Sequence, residues 1–133
     1  MRKLWEERGE IAEAAVTIPL VLLLALGLVN LAMAGYAAAA AENAAQYGAR
    51  MGSVAQANAA GVAAWAAASR CSQTRIGTCS AFAYGGGQRG STIVVLVQWS
   101  VPNFYGGIAR FFGIPVGDSF RGVATATFRQ EGW

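Results

Sequence analysis

Residues 14–41 read AAVTIPLVLLLALGLVNLAMAGYAAAAA, 28 positions without a charge. As a helix at about 1.5 Å per residue this stretch is roughly 42 Å long, more than the ~30 Å of hydrocarbon in a bilayer. It therefore predicts a membrane-inserted stage. Its two halves differ in character. Leu20–Leu24 is uniformly large and apolar, whereas Gly27, Asn30, Ala34, Gly35 and the run Ala37–Ala41 are small or weakly polar. Small residues suit close helix packing better than contact with lipid.

On the N-terminal side, Met1–Glu13 is a short charged head with four acidic and three basic groups. On the C-terminal side, Glu42–Ser69 keeps a helical pattern, with Tyr47, Met51, Val54, Val62 and Trp65 at steps of three and four or their sums, and alanine filling much of the rest. The periodicity predicts one helix from about Ile11 to about Ser69, roughly 90 Å long. A helix of that length asks for partners along it. The chain divides accordingly into a leader-like segment 1–9, a hydrophobic assembly helix 10–70 and a small head 71–133.

The head has β character. Thr92–Ser100 places Ile93, Val95, Val97 and Trp99 on one face and Val94 and Leu96 on the other, the pattern of a strand covered on both sides. Phe120–Phe128 alternates more cleanly, with Ala124, Ala126 and Phe128 facing one way. Between them Phe104, Ile108, Phe111 and Phe112 recur at helical spacing, opened by Pro102 and closed by Gly113 and Pro115. The fold class expected is α+β: a long N-terminal hydrophobic helix, then a small sheet with a short helical connection. A head of this size needs its large side chains, so Trp65, Trp99, Phe104, Phe111, Phe112, Phe120 and Phe128 are expected mostly in its core. Cys71 and Cys79, with seven residues between them in a polar loop, read as one short disulfide of an oxidising compartment that pins the helix end to the head.

Composition narrows the function. Of 133 residues 55% are hydrophobic and 13% charged, which excludes disorder. Histidine is absent and Lys3 is the single lysine, so the usual general base and the commonest metal ligand are missing. With Asp118 and Glu131 as the only carboxylates after Cys71, the expectation is a protein that is not an enzyme and holds no cofactor or metal. Net charge is +3, and Arg70, Arg75, Arg89, Arg110, Arg121 and Arg129 are scattered singly. That pattern solvates an exterior and is no footprint for specific nucleic-acid binding. Gly85, Gly87 and Gly90 match the letters of a dinucleotide fingerprint, but no βαβ unit surrounds them, and they read as a loop.

The junction Arg8-Gly9-Glu10-Ile11-Ala12-Glu13, followed by Val16-Thr17-Ile18-Pro19, carries a more specific signal. A charged leader ending in glycine, a lone carboxylate at the start of the apolar run and a proline six residues later resemble the signature of TadE-like pilins of the tight-adherence branch of type IV pili. The alanine-rich Asn43–Arg50 stretch, the valine-rich strand with Pro102 and the final Val-Ala-Thr-Ala-Thr strand are similar to that family as well. Glu13 lies four residues after Gly9, where the family usually has five. Both a leader cleaved at Gly9 and a retained one are compatible with that spacing. Ala32-Met33-Ala34 also fits a signal-peptidase site, the alternative reading of the N-terminus.

The resemblance implies a filament subunit, membrane-inserted before assembly, then extracellular on the cell surface and polymerised with identical copies for adhesion. Its partners would be those copies, the pilus assembly machinery of the cytoplasmic membrane and a surface or host-cell target. Glu13 would neutralise a positive group of a neighbouring subunit, because an unpaired buried carboxylate is costly; alternatively it sits among lipid headgroups or favours the helix dipole. Pro19 and Gly27 either mark where the helix loosens or are tolerated bystanders. Gly48 and Gly52 are expected to let a neighbouring helix approach closely. A minor priming or tip component and a single-pass membrane-anchored binding protein are the alternatives.

Overall fold

The computed structural model describes the backbone of residues 2–131 and the side chains of residue 9 and residues 11–131. Of the leader-like segment expected over residues 1–9, the side chains of residues 1–8 lie outside the described ones. Six elements follow in order: α1 (Arg2–Ser53), α2 (Ala59–Cys71), β1 (Thr78–Gly85), β2 (Thr92–Pro102), α3 (Tyr105–Phe111) and β3 (Ser119–Arg129). The α+β class, the long N-terminal helix, the small sheet and the short helix between its last two strands agree with the sequence reading.

The helix is shorter than its periodicity predicts. It stops at Ser53, and α2 folds back antiparallel along it instead of extending it to Ser69. Asn58 makes the reversal: it adopts the left-handed region (φ 49°, ψ 48°), and its Oδ1 accepts the Gly61 amide at 3.2 Å. Asparagine is among the few residues that tolerate this conformation and is a strong N-cap. Gly61 permits the cap, since a Cβ there would lie 2.3 Å from Asn58 Nδ2. The carbonyls freed at the helix end are claimed from far along the chain. Glu131 N–H donates to Ser53 O at 2.9 Å and Gln130 Nε2 to Ala55 O at 3.0 Å. The break thus answers the unsatisfied-carbonyl problem of every helix C-terminus with the end of β3.

The two helices meet through missing side chains. A Cβ on Gly48 would lie 2.6 Å from Ala63 O and 2.7 Å from Ala67 Cβ, and one on Gly52 2.7 Å from Ala63 Cβ. Gly48 and Gly52 therefore do allow close helix approach, but the helix they admit is α2 of the same chain. Within this chain, the neighbouring helix expected at these glycines is α2. The stripe read from Tyr47 to Trp65 turns out to mark the outward side, with Trp65 73% exposed.

The strands form one antiparallel sheet in the order β1-β2-β3. Ile93, Val95 and Val97 point inward and are fully buried, together with Ala126 and beside Ala81, Ala83 and Ala124, against Ala41, Ala44, Ala45 and Ala49 of α1 and Ala59, Ala63 and Ala67 of α2. Each of those three large side chains contributes about 1.5–3 kcal/mol through burial. Strand β1 was not foreseen; its Cys79, Ala81 and Ala83 face inward, while Phe82 and Tyr84 are exposed on the outer face. Gly85, Gly86 and Gly87 all take positive φ (87°, 77° and 103°) in the β1–β2 connection, the loop expected for this triplet. Trp99 lies across Gly122 of β3, where a Cβ would come within 2.5 Å of its ring.

The core is accordingly made of alanine and valine. Of the aromatics expected inside, Trp99 and Phe128 pack against it, but Phe111 and Phe112 are exposed, as are Trp65, Phe104 and Phe120. Helices lined with alanine approach a sheet too closely to leave room for rings. Cys71 and Cys79 are bridged, with Cα atoms 5.4 Å apart, tying the end of α2 to the start of β1 as the sequence implied.

Candidate functional site

The lower part of α1 has no cover. From Ile11 to Ala25 every side chain is exposed, and among the large ones further up, Leu28 is 68% and Leu31 70% exposed. Leaving a leucine in water forfeits about 1.5–3 kcal/mol of burial. Eleven large apolar residues exposed between Ile11 and Leu31 describe a surface built for another apolar environment. The helix containing them is long and apolar enough to cross a membrane.

The charge-free stretch 14–41 is not uniform in use. Ala37 and Ala41 are buried under the sheet, so the upper part of the stretch belongs to the head. Glu13 and Pro19 sit in the bare part and are exposed. The backbone stays helical through Pro19, although its ring removes one hydrogen-bond donor from the ladder. Gly9 is exposed at the edge of the charged segment. These residues share one bare helix; Gly48 and Gly52 lie apart from them, inside the α1–α2 contact.

Gly27 is placed by a different neighbour. A Cβ there would lie 2.8 Å from the Tyr105 hydroxyl, which donates to the Leu23 carbonyl just below. Above it, Asn30 is buried and doubly used: its Nδ2 donates to Asn103 Oδ1 and its Oδ1 accepts the Phe104 amide, both at 3.2 Å. Asn103 in turn accepts the Tyr105 amide at 3.0 Å and donates to Gly117 O at 2.9 Å. A buried amide with its partners satisfied is directional where packing is not. Asn30, Asn103 and Tyr105 form a clasp that fixes α3 at one height on α1. Sequence reasoning missed it: Asn30 read only as one of several small or weakly polar residues, and its partner is 73 residues away.

Residues 11–50, a little under a third of the chain, match the TadE-like protein family. The match covers the bare helix, the clasp residue Asn30 and the alanines that meet the sheet. Comparison with curated proteins and with solved structures finds no match.

Proposed function

We propose that the chain, TadE-like over residues 11–50, is a structural subunit of a Tad-type pilus. The observation that carries this reading is the uncovered apolar length of α1, which lies within the family match. The chain is first held in the cytoplasmic membrane by that length. The assembly machinery then transfers it into a filament, where identical helices replace lipid as the apolar environment. Apolar area leaves one non-aqueous phase for another, so transfer need not expose it to water. Contacts of this kind between identical copies are heterologous and open, and they generate a fibre. The head, with its disulfide, stays on the outside and meets the surface.

The test is to shear the surface of the native host and to quantify this chain in the filament fraction, with helical reconstruction by cryo-electron microscopy. The reading expects stoichiometric subunits whose bare helices pack together. A trace amount per filament would make the chain a priming or tip component. Retention in the membrane fraction with no filament would make it an anchored binding protein. Glu13→Ala is expected to lower the amount in filaments and leave membrane insertion unchanged; normal piliation by this variant would remove the proposed pairing of Glu13 with a neighbour.

A further inference from the structure

The bare length of α1 fixes where a bilayer sits. Twenty residues, Ile11–Asn30, are roughly 30 Å long at about 1.5 Å per residue, the thickness of the hydrocarbon layer. From Asn30 upward the head covers one face of the helix, which is buried at Asn30, Ala37 and Ala41. The strands therefore rest at the outer surface of the membrane, and whatever is fastened to α1 below Asn30 lies within the outer leaflet. The segment fastened there is α3, held from Asn30 down to Leu23.

We infer that Phe104–Val116 is an outer-leaflet wedge, packed among lipid acyl chains beside α1. The step from Asn30 to Leu23 sets its depth at about 10 Å, within the range of interfacial elements. Its surface is suited to that phase: Phe111 is 86% exposed, Phe112 70% and Ile114 54%. Its charge is suited as well. Arg110 is the one ionic residue in the segment, and it pairs with Asp118; its long stem lets the head group rise to the interface. Many of its backbone N–H groups have partners within the chain. Phe104 N–H goes to Asn30, Tyr105 to Asn103, Phe112 to Ala109, Gly113 to Arg110, Ile114 to Ala109 and Val116 to Ile114, while Pro115 has no N–H to place. Lipid offers no partners, so each N–H paired within the chain lowers the cost of entering hydrocarbon.

This inference rests on the proposal that α1 spans a membrane, and the experiment separates the two. The full chain, with its disulfide kept oxidised, is reconstituted into phosphatidylcholine–phosphatidylglycerol vesicles carrying a spin label on Phe111→Cys, Leu22→Cys or Thr125→Cys. Collision with oxygen, which concentrates in hydrocarbon, is compared with collision with a water-soluble nickel complex. The Phe111 label is expected to give an oxygen-to-nickel ratio close to that of Leu22 and several-fold above that of Thr125, unchanged on dilution with lipid. A Phe111 ratio equal to that of Thr125, with Leu22 in lipid, overturns the wedge alone. A Leu22 label in water overturns the membrane reading and the wedge with it. Protection of Phe111 that vanishes on dilution assigns the surface to a second copy of the chain and also overturns the wedge.

Discussion

The lower and upper parts of α1 belong to one helix and one uncharged run of sequence, yet they are used in opposite ways. Between Ile11 and Leu31 the helix carries mostly leucine, isoleucine and valine and lies bare apart from the face at Gly27 and Asn30 that meets α3; between Ala37 and Ser53 it carries alanine and glycine and is covered on one side by α2 and on another by the sheet. Side-chain volume, more than hydrophobicity, decides which partner each part receives. Small residues let a backbone come close, so a short chain can cover its own helix. Large ones hold neighbours at arm's length and leave the surface for lipid or for other copies.

The sharpest way to break this comparison is to put bulk into the covered half. Gly48→Leu drives a side chain into Ala63 and Ala67 and is expected to cost about 3 kcal/mol or more, read as loss of cooperative thermal unfolding of the head. Gly35→Leu, on the same helix with nothing within 4 Å of its Cβ, is expected to change stability by less than about 0.5 kcal/mol. Equal effects at the two positions would dissolve the distinction. Removing the bridge with Cys71→Ser and Cys79→Ser frees α2 from β1 and is expected to lower stability by about 2–3 kcal/mol, seen as a lower Tm that reducing agent no longer affects. At the boundary between the halves, Asn30→Leu leaves Asn103 and the Phe104 amide without their partner. A loss of about 1–2 kcal/mol is expected, with faster hydrogen exchange confined to the segment around α3. Leu22→Ala should be the smallest, within about 0.5 kcal/mol in unfolding of the head, because the head does not touch it.

Much of this division is legible in the sequence, and the places where it is not have physical causes. The uncharged run, the inward faces of β2 and β3, the amphipathic α3 and the cysteine pair all follow from local pattern. The end of α1 does not. Val54–Asn58 contains neither glycine nor proline, and alanine favours helix on both sides, so only the left-handed Asn58 and hydrogen bonds from Gln130 and Glu131 define the break. Strand β1 was hidden because its large residues, Phe82 and Tyr84, face out and its alanines face in, the reverse of the usual reading. The same inversion misplaced the aromatics. Gly48, Gly52 and Gly27 were recognisable as sites of close approach, but not what approaches them: α2 in two cases, Tyr105 in the third.

The run of β2 along α1 has a mechanical consequence. Ile93 packs beside Gly52 and the strand's far end meets Asn30 through Asn103, so the 22 steps of helix and the ten of strand both measure about 33 Å. Strand and helix therefore lie along a common axis, running in opposite directions, and tension applied to α1 loads the contact in shear. Every alanine along it resists together, where a perpendicular pull would open the contacts one at a time. A subunit drawn out of a membrane by its helix, or stretched within a fibre, would carry its head along as cargo fastened lengthwise.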